Sequence, residues 1–484
     1  MSRQRCFSSQ HSAVPRPVLR TSNFGRSLLL ALMNLVAAAQ AIATGSDAVY
    51  GLVSRPEAKA YLGMPATDDG HFPPLLSQTG VFKDLQKLAP ADSLIPYDLN
   101  VPFYSDGANK SRWVSVPGNG QPGTALKIRF SESGEWRFPE GTVFVKHFEL
   151  ATNETHPEVR RRLETRLIVC DATGGVYGVT YKWKADNTDA ELLATNLTEA
   201  YEIRTASGVR SQNWYYPSSK DCRTCHTGAA GGVLGVKTRQ MNREFLFPNG
   251  VVDNQLRAWN HIGLFNLELK EQDLEHYPRL ARADDETRTL EDRARSYLDA
   301  NCAHCHRPGG TVAYFDARYE TPLDKQGLIN GRVLIDEGLD RARVISPDDV
   351  WRSVALFRIS NLDGRRMPPL AHETLDEKGI ALLRSWIESL PGPKVLPPPV
   401  FSRSGQREKE PVEIRLTDSV EDAEIHYTLD GSAPTAEDPV YRSPIPISHS
   451  TTVRARAFKP GFTRSITVQE TYVFTRPRDA EAER

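Results

Sequence analysis

The 484-residue chain is poor in cysteine, in methionine and in net charge. Its six cysteines are too few for a disulfide framework to organise a chain of this length. Lys and Arg together number 60 against 61 for Asp and Glu, so the charge does not point to nucleic acid, and no nucleic-acid partner is predicted. Beyond the N-terminal segment, no apolar run is long enough to cross a bilayer. What is left is a chain long enough for two to four globular domains.

Four of the six cysteines fall into two pentapeptides with the same spacing, Cys222-Arg-Thr-Cys225-His226 and Cys302-Ala-His-Cys305-His306. Cys-x-x-Cys-His is the attachment motif of c-type haem. Its two thiols bond to the two vinyl groups of one porphyrin, and the next imidazole ligates the iron. A zinc ribbon or a thioredoxin-like redox pair would not explain a His after both pairs. The motifs therefore predict two covalently bound c-type haems, each with its iron.

The N-terminus has the pattern of an export signal. Arg16, Arg20 and Arg26 precede an apolar run over residues 28–43, which ends in small residues. Haem attachment to such motifs takes place outside the cytoplasm, so an exported chain is what the motifs require. We expect residues 1–43 to be a signal peptide and the protein to be periplasmic, with a retained N-terminal anchor as the alternative.

The composition predicts a multidomain α+β chain that begins with a β-rich domain over residues 44–288, which carries the first haem motif. Segments rich in β-branched and aromatic residues predict strands, and turn-forming Gly, Pro and Asp-Asn residues separate them. The predicted strands are Ala125–Phe130, Gly141–Leu150 and Val176–Trp183. Cys170, in an apolar run, is predicted to be a buried small hydrophobic residue.

The character of the sequence changes at Thr289. Residues 290–300 have helical composition and lead into the second motif, and residues 375–390 have an amphipathic helical pattern. A helix before the haem motif and another after the distal ligand resembles a class I cytochrome c. We therefore expect an α-helical cytochrome c-like domain over residues 289–392, which carries the second haem.

The second iron has a clear candidate for its distal ligand. Met367 lies in Gly364-Arg-Arg-Met-Pro-Pro-Leu370, and this segment resembles the distal ligand segment of class I cytochromes c. A thioether ligand favours ferrous iron. Ligation by His306 and Met367 is predicted, with a Met that fills a core gap as the alternative. The neighbouring Arg365 and Arg366 could pair with haem propionates or be solvated surface residues, and His304 is interpreted as uninvolved.

The first iron has a clear proximal ligand, His226, and several candidates for the distal one. His147 leads, because an unpartnered imidazole in an apolar strand would be costly. Met241 and His261 follow, and an open coordination position is the remaining alternative.

A Pro-rich linker over residues 393–400 leads to alternating strands at 412–416, 423–429 and 452–458, which predict an antiparallel β-sandwich over residues 401–476. A charged tail, 477–484, follows. The stretch from Ile425 to Thr435, with the segment from Tyr441 to Ile447, resembles the C-terminal domain of chitobiase and β-hexosaminidase enzymes. This resemblance implies a fold and no activity.

Over residues 72–392, the chain resembles an uncharacterised family of exported bacterial dihaem c-type proteins. The segments that carry this resemblance, besides the two haem motifs, are Phe72–Gly80, Ile95–Gly107, Arg162–Arg166, Tyr181–Asp186, Arg293–Asn301 and Arg366–Pro369. The resemblance implies two haems and a role in electron transfer, and it supplies no substrate.

Three classes of function follow from these features. The leading hypothesis is a dihaem c-type cytochrome that mediates periplasmic electron transfer, with a redox partner such as a periplasmic dehydrogenase or a respiratory-chain component. The alternative is a dihaem peroxidase-like oxidoreductase that uses the first haem as its reactive site. In the third class, the C-terminal sandwich anchors the protein to a polysaccharide, which Tyr427 and Tyr441 could contact.

Overall fold

The computed structural model describes residues 49–118 and 126–474. The predicted signal peptide and the charged tail lie outside these residues, and so does Ala125 at the start of one predicted strand. Within the described ranges, no helix has the length and apolar character needed to cross a membrane.

The largest element is a six-stranded antiparallel sheet. A short hairpin of β1 (Phe82–Asp84) and β2 (Ala89–Pro90) precedes it. The sheet has the order β3-β4-β5-β6-β7-β8, and its strands are β3 (Ile95–Pro96), β4 (Asn109–Ser115), β5 (Val143–Ala151), β6 (Arg160–Cys170), β7 (Val176–Trp183) and β8 (Ala190–Leu192). Two of the predicted strands therefore match β5 and β7. The third does not form, because Ile128 and Arg129 make only isolated bridges.

Both faces of this sheet are buried. Val145 and Leu167 lie opposite each other on β5 and β6, and they pack on one face with Tyr181. Phe144 and Ile168 are also opposite each other, and they pack on the other face. Since successive strand residues point to opposite faces, burial on both sides explains the nearly continuous apolar run in β5.

A long hairpin and small helices connect the sheet to the rest of the chain. The hairpin pairs β9 (Leu197–Thr205) with β10 (Gly208–Tyr216) over nine residue pairs. Next come α1 (Ser219–Cys225), α2 (Thr238–Met241), the pair β11 (Glu244–Leu246) and β12 (Val252–Asn254), and α3 (Gln255–His261). Short 3₁₀ helices span Leu76–Thr79, Glu271–His276 and Leu323–Lys325.

The expected α-helical cytochrome c-like domain over residues 289–392 is wrong. The segment contains three α-helices of 12, 6 and 13 residues, namely α4 (Leu290–Asn301), α5 (Val354–Ile359) and α6 (Glu377–Ser389). Turns and irregular chain make up most of the remainder. The helical composition of residues 290–300 and the amphipathic pattern of residues 375–390 did locate α4 and α6, because both are local properties. They carried no information about the residues between the helices, which are not helical.

This segment is also joined to the β-rich region by buried polar contacts. Asn301 Oδ1 accepts a hydrogen bond from the backbone of Tyr104 at 2.8 Å, and the Tyr104 hydroxyl lies 2.8 Å from Thr374 Oγ1. Asp299, at the end of α4, forms a fully buried ion pair with Arg239 at 2.9 Å. The residues around the second motif are therefore held by side chains from the first region.

The C-terminal residues form the predicted β-sandwich. Its strands are β13 (Val400–Phe401), β14 (Arg407–Glu408), β15 (Val412–Ile414), β16 (Leu416–Thr417), β17 (Glu424–Thr428), β18 (Ile445–Ile447), β19 (Thr451–Phe458) and β20 (Val468–Phe474). A four-stranded sheet has the order β14-β20-β19-β17, and two-stranded sheets pair β13 with β16 and β15 with β18. All these pairs are antiparallel except that of β14 with β20.

Candidate functional site

The first Cys-x-x-Cys-His motif lies on α1, three residues after the end of β10. Ser218 caps this helix, and its Oγ accepts a hydrogen bond from the Asp221 backbone at 3.3 Å. The Asp221 carboxylate accepts in return from the Ser218 backbone at 2.8 Å. This reciprocal capping satisfies backbone groups at the start of the helix, and so it stabilises a helix of only seven residues.

A glycine on the neighbouring strand lets α1 lie against the sheet. A Cβ built on Gly178 of β7 would lie 2.8 Å from both Cβ and Sγ of Cys222. Any larger residue would therefore displace the first thiol of the motif. The absence of a side chain at this strand position is explained by the close approach of the helix.

His226 follows α1 and is held in one orientation. Its Nδ1 lies 2.7 Å from the carbonyl oxygen of Gly232, to which it donates in the neutral tautomer. Burial lowers the pKa of His226 to about 4, so the ring is neutral at physiological pH. A histidine that donates Nδ1–H to a carbonyl keeps the lone pair of Nε2 for a metal. The two thiols are placed to bond to the vinyl groups of a c-type haem, and this nitrogen is free to ligate its iron.

A cavity opens beside the first motif. It encloses about 1390 Å³ of atom-free space, part of which is open to solvent. Its walls combine the motif with sheet residues and with residues near the second motif, among them Phe144, Lys146, Arg166, Ala300, His304 and Leu370.

The second motif follows the end of α4. The His306 ring is stacked on Phe315, with 4.3 Å between the ring centroids. Its Nδ1 is shielded from solvent and has no hydrogen-bond partner among the described residues. Burial lowers the pKa of His306. This imidazole is thus also neutral, but unlike His226 it is not anchored by a carbonyl oxygen.

The fold brings the two motifs into contact. One ligand atom from each of Cys225, His304 and Cys305 lies within 4.8 Å of the others. A hydrogen bond with the Cys225 thiol holds the pKa of Cys305 below its usual range, and His304 adds to this shift. His304 also lines the cavity of the first motif. Its interpretation as uninvolved in iron binding stays a prediction.

Met367 lies in a turn between α5 and α6 and is half-buried. Its peptide bond to Pro368 is cis, and its backbone N–H donates to the carbonyl of Arg358 at 3.1 Å. The charge of Arg358 is also close enough to lower the pKa of His306, after the larger effect of burial. The turn is thus fixed to the end of α5, and ligation of an iron by Met367 stays a prediction.

The arginines before Met367 already have acidic partners. Arg366 lies 2.9 Å from Glu373, and the exposed Arg365 lies 2.6 Å from Asp363. The sequence reasoning missed His372, which is 2 % exposed and whose Nδ1 has no partner among the described residues. Burial lowers its pKa, although nearby carbonyl groups of the Met367–Pro368 turn oppose the shift. The sequence signal that could have pointed to His372 is its position, five residues after Met367.

The structure does not bring His147 to the cavity. The ring is buried, and its Nδ1 lies 2.9 Å from Thr165 Oγ1. It packs edge-on against Trp183, on the opposite face of β5 from Phe144 and Lys146. The alternation of side chains along a strand points Lys146 into the cavity and His147 away from it. His147 is thus a core histidine whose Nδ1 is paired, whereas its Nε2 is buried without a hydrogen-bond partner among the described residues.

The other two candidates for the first distal ligand also lie elsewhere. Met241 is fully buried in the core around Trp259. His261 is exposed at the end of α3, and its ring stacks on Tyr50 with 3.6 Å between centroids. Neither side chain lines the cavity.

Comparison with known proteins identifies the C-terminal region alone. Residues 403–470 match the chitobiase/beta-hexosaminidase C-terminal domain, which confirms the resemblance predicted for this region. No curated protein matches the chain. The match includes neither Cys-x-x-Cys-His motif, so the resemblance of residues 72–392 to dihaem c-type proteins stays a prediction. Tyr427 and Tyr441 pack against the sandwich core, as cross-strand aromatic residues commonly do.

Proposed function

We propose that this chain is a dihaem c-type cytochrome that mediates electron transfer. One haem is attached at Cys222 and Cys225, and the other at Cys302 and Cys305. The observation that carries the proposal is the contact between the two motifs, in which Cys225 and Cys305 lie within 4.8 Å of each other. Two attachment points this close favour electron exchange inside one chain.

The residues of both motifs fit the cofactor. Each thiol adds across a vinyl group, so that a sulfur–carbon bond forms and the thiol hydrogen goes to the other vinyl carbon, with no oxidant or reductant needed. When bound, the iron cycles between the ferric and ferrous states at a potential set by its ligands, hydrogen bonds and burial. The neutral rings of His226 and His306 supply the proximal nitrogens.

The surroundings of the two motifs differ in ways that favour two unequal potentials. His226 is anchored by the carbonyl of Gly232 and faces a cavity with basic side chains. His306 is stacked on an aromatic ring, and the iron that it would bind has Met367 as its proposed distal ligand. A thioether ligand raises the potential of its haem. Electrons would then move preferentially from the first haem to the second.

An electron carrier needs redox partners and a compartment where haem is attached. The apolar run over residues 28–43 supports export to the periplasm. The partner we propose is a periplasmic dehydrogenase or a respiratory-chain component. The C-terminal sandwich could add a polysaccharide contact. Binding of the intact protein to insoluble polysaccharide would test this separately.

The direct test is a haem count of the exported, purified protein by pyridine haemochrome. We expect two haems per chain, one after Cys222→Ala with Cys225→Ala, and one after Cys302→Ala with Cys305→Ala. Cys170→Ala is the matched control, because this buried free cysteine belongs to neither motif. Loss of a methionine-to-iron charge-transfer band in Met367→Ala would support ligation by Met367. Fewer than two haems in the unaltered protein would contradict the proposal.

A peroxidase-like oxidoreductase is the second candidate, because the cavity beside the first motif is partly open to solvent. Such an opening would admit a small oxidant. Rapid, repeated oxidation of the reduced protein by hydrogen peroxide would favour this candidate over a pure electron carrier. A low-spin spectrum at both haems without turnover of peroxide would favour the carrier.

A further inference from the structure

A row of three basic side chains crosses the central sheet beside the first motif. Arg112 of β4 is directly opposite Lys146 of β5, and Lys146 is directly opposite Arg166 of β6. Residues in such positions have Cβ atoms about 4.5–5.5 Å apart, and like charges there destabilise a sheet. The row therefore calls for a neutralising negative charge.

The protein neutralises only the two ends of the row. Arg112 Nη1 lies 2.6 Å from Asp98 Oδ1, and Arg166 Nε lies 3.0 Å from Glu164 Oε2. Among the described residues, Lys146 forms neither an ion pair nor a hydrogen bond. Its ammonium group is only 5.0 Å from the centroid of the Phe148 ring.

The excess of positive charge in this row affects the pKa of Lys146 and leaves hydrogen-bond donors unpaired. Burial and the neighbouring Arg112, Lys110 and Arg166 hold the pKa of Lys146 well below its usual range. Arg112 adds two more unused donors, because its Nε and Nη2 are buried without partners among the described residues. The row thus offers several unused donor hydrogens in one place.

The other cations on the cavity wall all have carboxylate partners. Lys237 lies 3.1 Å from Asp299, and Arg307 lies 3.0 Å from Glu135. Arg166 is paired with Glu164, as described above. Lys146 is therefore the one cation on this wall without an acidic partner in the described part of the chain. It lines the same cavity as Cys222, Cys225 and His226.

We propose that Lys146, flanked by Arg112 and Arg166, binds a propionate carboxylate of the haem attached at Cys222 and Cys225. The inference rests on the proposed function, since it needs a haem in this cavity. A haem carries carboxylates on its rim, and a carboxylate supplies the charge and the acceptor oxygens that the row lacks. Phe144 and Ile168, on the same face of the sheet, supply an apolar wall for the macrocycle.

Lys146→Met tests the proposal in the intact dihaem protein, because it keeps the length of the side chain and removes its charge. A cation close to a haem favours the ferrous form. We expect one of the two steps in a potentiometric titration to shift about tenfold toward the ferric form, about 59 mV lower for a one-electron couple. Lys146→Arg should keep most of the original potential. Lys184→Met, which removes an amine paired with Glu191 outside the cavity, should move neither step.

The haem count separates the possible failures. A wild-type protein with fewer than two haems overturns the proposed function itself. With two haems in every variant, unchanged potentials in both Lys146→Met and Lys146→Gln overturn the role of Lys146 alone. A Lys146→Arg protein that behaves like Lys146→Met and turns high-spin would also overturn it, since the amine would then bind iron. Lys146→Gln provides a second reading if the Met variant does not fold.

Discussion

The two Cys-x-x-Cys-His motifs have the same spacing but are built into different surroundings. The first is on a capped helix that lies against a β-sheet, and its imidazole is anchored by a backbone carbonyl. The second follows a helix in a segment that is mostly turns, and its imidazole is stacked on a phenylalanine ring. The comparison teaches that one short sequence motif can be held in different surroundings, because the fold specifies the environment of each copy.

The two regions share one buried charge cluster, and breaking it should have the largest effect. Asp299 is fully buried between Arg239 at 2.9 Å and Lys237 at 3.1 Å. Asp299→Asn would leave Arg239 with Glu320 and Lys237 with Glu135 as acidic partners. Breaking a buried ion pair typically costs about 3–5 kcal/mol in the free energy of unfolding, and the remaining carboxylates should keep the loss near the lower end. We expect both haem sites to be disturbed together. Urea unfolding, followed by circular dichroism, measures the loss.

The same variant has a defined pH dependence. Paired cations hold the pKa of Asp299 well below its usual range, against the opposing effect of burial. The stabilisation is therefore complete above the unfolded-state pKa of about 3.9 and is lost as the pH falls toward the lower folded value. The difference between the wild type and Asp299→Asn should shrink below about pH 4. Asp363→Asn, in an exposed ion pair, is the control and should leave the midpoint unchanged. A constant difference at all pH values would contradict the assignment.

The second region alone should respond to a change where its two longer helices cross. A Cβ on Gly379 of α6 would lie 2.5 Å from the Tyr297 ring on α4. Gly379→Ala should cost about 1–3 kcal/mol, because a rigid ring cannot yield easily in a packed core. Gly364→Ala is the matched control, since nothing lies within 4 Å of its added Cβ. Thermal unfolding distinguishes them, and equal stability of the two variants would show that the crossing is not tight.

The first region alone should respond to Gly178→Ala, with a smaller loss of stability. The added Cβ would meet Cys222 and the end of Ile168, each at 2.8 Å, and these side chains can shift. We expect a loss of about 1 kcal/mol, together with reduced haem attachment at the first motif. Gly228→Ala, which has open space around its added Cβ, should keep both haems. A full haem complement in Gly178→Ala would mean that Cys222 tolerates displacement.

The parts of the structure that the sequence predicted well are those that depend on local patterns. β-Branched and aromatic residues predicted β5 and β7, helical composition predicted α4, and an amphipathic pattern predicted α6. The alternating C-terminal strands predicted the sandwich that the family match supports. The helical domain over residues 289–392 was wrong, because two correct helices were extended to a whole domain by analogy. His372 was missed because its burial depends on residues that are distant in sequence, including Tyr104.

The sequence by itself determined the two Cys-x-x-Cys-His motifs, the strands and helices that flank them, and which residues of β5 share a face. Alternation along β5 already separates Lys146 from His147, since neighbouring residues point in opposite directions. Only the tertiary structure decided which face meets the first motif, and it is the face of Lys146. It also decided that Cys225 and Cys305 meet, although 80 positions separate them. The physical reason is that local patterns depend on neighbouring residues, whereas these contacts depend on how whole elements pack.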